Sequence, residues 1–347
     1  MTTARNRLGW VDAGRGLAIA LVVFFHTAQW LREAGLEVTG WVLVNETIAT
    51  LRLPVFFLLA GLFAQKWMTA PWRSLWGVKL SLFAWVYLLW SVIATFTFML
   101  GLNLQGAKGN YLAQLAQIPF LPFAPRFELW FIWALAFFFV IARLLFALPV
   151  SVQLAGTAVL SFVSLSWSAE WFPEANTGWA GLAKYFFFFL VGLHLRSTIL
   201  RASERLPAVV LTAGFVLWLA MAVLGTAFGW GRTVPGYYFA TSVVGLIAGL
   251  GVAKVISHWR GLRRLGAQTL PVYVTHTSII LLIGWLLALL PNDLLAGSSW
   301  GWLLVPTVAA TAIAASLTIA HAVADRGALR YLYVAPAWFS GSPARVP

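Results

Sequence analysis

The chain has 347 residues, 61% of them hydrophobic and only 10% charged, where a soluble domain carries about a quarter charged residues. Its net charge of +13 falls in short clusters between apolar runs, which is a topology signal rather than the single basic face of a nucleic-acid binder. The absence of cysteine excludes disulfides, thiolate metal ligands and an acyl-cysteine intermediate.

Apolar runs of about twenty residues, enough to cross a hydrocarbon core, recur along the whole length. They predict ten spans, near 14–31, 45–66, 76–100, 128–148, 152–169, 181–196, 208–228, 236–256, 269–290 and 301–323. The expected class is an all-α integral membrane protein, a single polytopic domain over 1–347 with no cleavable leader. The loops are short apart from 101–127, which holds Pro119, Pro122 and Pro125 and is expected to cover something on its side. Seventeen Lys and Arg fall on one side of the ten spans and four on the other. Positive charge stays inside, so both termini are expected in the cytoplasm. Glu33, Glu37, Glu170, Glu174 and Asp293 fall on the far side.

The first span carries Arg15 near its start and His26 near its middle. At about 100° per residue, eleven residues return to nearly the same face, about 20° apart, with a rise of about 16 Å. Arg15 then lies near the cytoplasmic surface, with His26 near the midplane above it. Asp12, one turn below Arg15, can pair with it. Gly14, Gly16, Ala18 and Ala20 let a helix or ligand approach closely. Alone, Arg15 reads as a snorkelling anchor and His26 as an interhelical hydrogen-bonding residue. Together they suggest a track, with a cation that holds an anion and an imidazole that moves a proton or acts as nucleophile.

The second span brings Arg52, either ion-paired with Glu46 or Glu128 or placed to bind an acceptor or an oxyanion. Asn45 opens that span as a cap or a site residue. Glu128, at the outer end of the fourth span, is an interfacial carboxylate, a partner that orients His26, or a ligand for an acceptor hydroxyl. Lys184 is expected to snorkel at the start of the sixth span. His276, near the midplane in the ninth, is a second imidazole in the same cavity or a link between helices. The basic loop Lys254–Arg264, with His258, suits CoA phosphates or anionic lipid. His194 and His321 lie at cytoplasmic ends and are given no role. No two His stand at i,i+4, so no metal site is expected.

The Arg-x10-His pattern of the first span resembles the membrane-bound acyltransferase-3 family. "LRLPVFFLLAGLF", "ELWFIWALAFFFV" and "LPVYVTHTSIIL" resemble three further segments of that family, in order, over roughly 10–290. The likeness is to its single-domain branch. It implies transfer of an acyl group, acetyl being the expected one, from cytoplasmic acyl-CoA to a hydroxyl or amine of a carbohydrate-like or other envelope acceptor, in a bacterial inner membrane. In that reading Arg15 and Asp12 serve the CoA donor, and His26, Arg52, Glu128 and His276 the chemistry. The competing expectations are a transporter or flippase, and a non-catalytic relative acting as a sensor. No repeat relates the two halves, which speaks against a transporter. A homodimer is compatible with the sequence, which leaves the oligomeric state open.

Overall fold

A computed structural model describes residues 9–104, 111–171, 177–290 and 301–341. Every regular element among them is helical. Eight helices are long and apolar enough to cross a membrane, and two bent pairs bring the number to ten.

Among the described residues the longer α-helices are α1 (Gly9–Glu33), α2 (Thr39–Thr47), α3 (Ala49–Gly61), α4 (Ser81–Leu104), α5 (Trp130–Leu145), α6 (Val150–Trp171), α7 (Thr177–His194), α8 (Arg196–Arg205), α9 (Ala208–Ala227), α10 (Tyr237–Val255), α11 (Arg260–Ala267), α12 (Thr269–Leu287) and α13 (Gly301–Val323). The first span starts at Gly9, earlier than hydropathy places it, because Trp10 and Val11 already pack inward. The second predicted span is two helices. α2 and α3 meet at 49° across Ile48, whose φ of −89° and ψ of 0° leave the helical region. Asn45 therefore lies inside α2 and caps nothing. Pro54 sits within α3 without ending it. Lys184 falls in the body of α7, not at its start. α8 leaves α7 at 74°.

α1 is the hub, packed against α11, α12, α10, α13 and α3. Two backbone crossings draw the bundle tight. A Cβ at Gly16 would stand 2.0 Å from the Leu262 carbonyl oxygen, and one at Gly266 1.7 Å from that of Asp12. Gly61 and Gly192 do the same for α3 and α7, each facing a backbone oxygen of the other helix at 2.1 Å. The small residues of α1 thus admit a helix. In lipid such contact supplies the van der Waals attraction that hydrophobic exclusion cannot. α9 is the most lipid-exposed span, and Trp218 turns inward from it to donate to Thr50 Oγ1 at 3.1 Å.

Two segments close over the bundle. The described part of 101–127 is pinned by indole and phenol donors. Trp133 Nε1 donates to the Pro122 oxygen at 2.8 Å, Trp179 Nε1 to that of Phe123 at 2.7 Å, and Tyr87 Oη to that of Leu121 at 2.5 Å. At the opposite end, the turn Gly327–Leu332 lies on α4, where Trp85 and Trp90 donate to the Tyr331 and Leu332 oxygens at 2.6 and 2.7 Å. Tyr333 then reaches Thr275 of α12 at 2.9 Å. Burial pushes the Tyr333 phenol above its ordinary pKa, against the effect of the Thr275 bond, so it stays neutral.

Candidate functional site

Glu128 is the centre of a polar cluster within apolar helices. It sits in the short turn Phe127–Leu129 that leads into α5. Phe127 there takes a φ of 52°, a left-handed conformation costly for a bulky residue. The turn faces the Glu128 carboxylate inward, leaving the residue 6% exposed. Trp30 Nε1 of α1 donates to Oε1 at 2.6 Å, and Thr277 Oγ1 of α12 donates to Oε2 at 2.9 Å. The Tyr273 hydroxyl donates to the Glu128 carbonyl oxygen and receives the Ile132 N–H at 3.3 Å. Hydrogen bonds to a charged group contribute about 1.5–3 kcal/mol each, and a carboxylate at membrane depth needs them.

His26 points Nδ1 at Glu128 Oε1 across 3.3 Å. The approach is close but not aligned as a hydrogen bond, a looseness typical of sites without substrate. The His26 side chain keeps 13% of its surface open, so the ring is reachable from one side. His276 is fully buried beside it, the ring centroids 5.5 Å apart. Its Nδ1 faces the Val272 carbonyl oxygen at 3.0 Å, which puts a proton on Nδ1 and leaves Nε2 as acceptor. Helices α1 and α12 and the turn before α5 thus bring His26, Glu128 and His276 together.

Arg52 stands next to this group. Its guanidinium carbon lies 4.0 Å from the centroid of Phe25, the residue before His26. The ion pair that one reading of Arg52 offered is absent, because Glu46 pairs with Arg232 at 3.0 Å and Glu128 with His26. One guanidinium nitrogen is buried with no hydrogen-bond partner among the described residues. Tyr185 and Tyr238 lie within its electrostatic range.

Arg15 and Asp12 lie at the other end of α1, both half-buried. Arg15 Nη2 donates to Thr269 Oγ1 at the start of α12, at 3.3 Å. Asp12 is at the tight crossing with Gly266. Lys79 joins them electrostatically, with Arg15 and Lys66 both in range. It sits in a π-helical turn, Trp76–Leu80, a distortion that recurs at functional sites. Among the described residues, no three of His, Asp and Glu converge as a metal site.

Sequence reasoning missed Trp30, Thr277, Tyr273 and Lys79. Trp30 is four residues after His26, hence on its face of α1. Thr277 and Tyr273 flank His276 in a span already singled out. Those signals were within reach; Lys79 had none beyond its charge.

Chemically, the cluster offers an imidazole backed by a carboxylate, a second imidazole and a guanidinium, with a basic group at the far end of the same helix. No curated protein and no solved structure matches the chain. The family model for the acyltransferase domain of the acyltransferase-3 family matches residues 8–321, nearly the whole chain, and the protein therefore belongs to that family of membrane acyltransferases.

Proposed function

We propose that the protein transfers an acyl group, acetyl in the simplest case, from acyl-CoA to a hydroxyl or amine of a carbohydrate-like envelope acceptor, with His26 as general base. The observation that carries this reading is the buried Glu128 carboxylate 3.3 Å from His26 Nδ1. A carboxylate there favours the tautomer protonated on Nδ1 and stabilises the imidazolium, leaving Nε2 to take a proton. The acceptor O–H or N–H gives its proton to Nε2 as its oxygen or nitrogen attacks the thioester carbon. The C–S bond then breaks and the CoA sulfur receives that proton. Arg52, close to the reacting region and with a nitrogen to spare, suits the oxyanion of the tetrahedral intermediate. His276 is a second proton site beside His26.

Arg15, Lys66 and Lys79 form a cationic group that suits the CoA phosphates. Both termini, and this group with them, face the cytoplasm, where acyl-CoA is available. The membrane is a bacterial inner membrane.

The test is acetyl-CoA binding and turnover by the purified protein in nanodiscs, with CoA as control. Arg15→Ala weakens acetyl-CoA binding. His26→Ala keeps binding and loses turnover. Wild-type turnover in His26→Ala sinks the base assignment, and unchanged affinity in Arg15→Ala removes the donor role from Arg15. If the folded protein binds neither CoA nor a short-chain thioester, a transporter or sensor is the better reading.

A further inference from the structure

Arg52 is a buried cation that no described carboxylate balances. The residue is 6% exposed. Among the described residues no carboxylate comes within ion-pairing distance of it, and the groups in its electrostatic range are two phenols. The face of Phe25 offsets part of the charge, while Nη1 stays buried without a hydrogen-bond partner. Arg52 is also the fourth residue of α3, and a cation in the first turn of a helix opposes the helix dipole. Stability does not account for an arginine so placed, whereas a bound anion does.

The groups around it come from two further helices. A Cβ at Gly14 of α1 would meet Leu59 and Ala253, each at 3.2 Å, so the far ends of α3 and α10 lie level with Gly14 and Arg15. The first turns of α3 and α10, with Arg52 and Tyr238, are therefore at the opposite end of the bundle from the Arg15 cations. Tyr238, Ser242, Gly245 and Gly249 share one face of α10. That face is turned to α3, since a Cβ at Gly245 would stand 3.3 Å from the Thr50 oxygen and one at Gly249 2.5 Å from Val55. Ser242 Oγ on it is buried, again without a partner among the described residues. Tyr185 of α7 completes the group, its ring stacked on Phe57 and Trp130 at 5.6 and 6.2 Å. The Tyr185 and Tyr238 hydroxyls pair with each other. That pairing uses one O–H and leaves the other to donate. Arg52 is in electrostatic range of His26, and Tyr238 is only half-buried, so the group runs from the imidazole toward the bundle's end.

We infer that Arg52, Tyr185 and Tyr238 bind a carboxylate of the acceptor, which makes the acceptor an acidic sugar. The word acceptor rests on the acyl-transfer reading; the anion site rests on the unbalanced guanidinium. A guanidinium has five N–H groups. A carboxylate takes two of them side by side and leaves others for the oxyanion. One guanidinium balances one negative charge, whereas a phosphate monoester brings about −1.5 to −2 at neutral pH. The charge therefore selects a carboxylate.

The full chain in nanodiscs of zwitterionic lipid is titrated with glucuronate, glucose and glucose 1-phosphate at fixed ionic strength, read by saturation-transfer NMR. Glucuronate is expected to bind at least about ten-fold more tightly than glucose, the least that a charge-assisted hydrogen bond confers. Arg52→Gln loses that preference, and without ligand it melts no lower than wild type. Tyr238→Phe lowers glucuronate affinity about two- to ten-fold, and carries the test if Arg52→Gln does not fold. Arg15→Ala keeps the preference. Equal affinity for glucuronate and glucose overturns the inference, as does an undiminished preference in folded Arg52→Gln or in Tyr238→Phe. A clear drop in the melting temperature of Arg52→Gln gives Arg52 a structural role and overturns it too. Loss of preference in Arg15→Ala moves the anion to the donor cations, and tighter binding of glucose 1-phosphate rejects the carboxylate. Acetyl-CoA binding is measured on the same sample. Glucuronate binding without acetyl-CoA binding upholds the anion site and defeats the acyl-transfer reading, and the reverse result spares that reading and defeats the inference.

Discussion

His26 depends on a carboxylate whose oxygens are already held from two other directions. Trp30 and Thr277 donate to Glu128 from α1 and α12, so the carboxylate is fixed in place beside the imidazole. Glu128→Gln keeps the shape but turns an amide N–H2 toward one of these donors. In the proposed reaction it lowers kcat by about 10²-fold or more, the scale of general-base assistance, while acetyl-CoA affinity stays within two-fold. Steady-state kinetics beside direct binding reads the two effects apart. Thr277→Val removes one of the hydrogen bonds and gives a smaller loss in the same direction. At this scale the sequence was informative where the relation was local. Arg15 and His26 share a face by helical arithmetic alone, and Glu128 and His276 were recognisable as polar residues in apolar runs. Their meeting was legible only as one alternative for each, because residues 26, 128 and 276 come from three elements whose packing no periodicity encodes. The choice between the two readings of Arg52 was open for the same reason, and the ion-pair alternative falls because Glu46 meets Arg232 instead.

Between elements, the narrowest points are glycines. Gly266→Ala places a methyl group 1.7 Å from the Asp12 carbonyl oxygen, so α11 and α1 must separate. Overpacking of this kind costs about 1–3 kcal/mol. The expected outcome is a lowered melting temperature in detergent, with Gly261→Ala, where a Cβ meets nothing within 4 Å, as the unaffected control. The same change is expected to shift Arg15 against Thr269 and, in the proposed reaction, to weaken acetyl-CoA binding. Ten apolar stretches were legible because a bilayer imposes length and composition directly. The break at Ile48 was not, since no proline or glycine marks it, whereas Pro54, which does carry a break signal, lies in a continuous helix. The turn of α8 was hidden in the same way, its three arginines read only as topology.

For the whole molecule, the arrangement predicts sidedness. The chain has no cysteine, so single replacements report cleanly. Arg201→Cys in α8 is expected to resist a membrane-impermeant maleimide in intact cells and to react after lysis. Arg232→Cys, on the opposite side, is expected to react in both; the reverse pattern would invert the topology. The turn Gly327–Leu332 gives a further test. It supplies carbonyl oxygens to Trp85 and Trp90, and Tyr333 bonds Thr275 next to His276. Ending the chain at Arg326 strips these partners, and loss of both melting temperature and turnover is expected, read by thermal unfolding and the acetyl-CoA assay.

The dependence of α1 on late partners also sets a timetable. α1 is made before α11 and α12, yet these are the helices it packs against most extensively. At about 5–20 residues per second, the roughly 250 residues between His26 and Thr277 take on the order of 10–50 s to synthesise. Through that interval the polar face of α1 is in the bilayer before Thr269, Glu128 and Thr277 have all arrived to meet it. A ribosome that stalls before α12 leaves a membrane fragment in which His26 lacks His276 and Glu128 lacks Thr277. Pulse-labelled chains cut at Ala267 are therefore expected to be cleared faster than full-length protein.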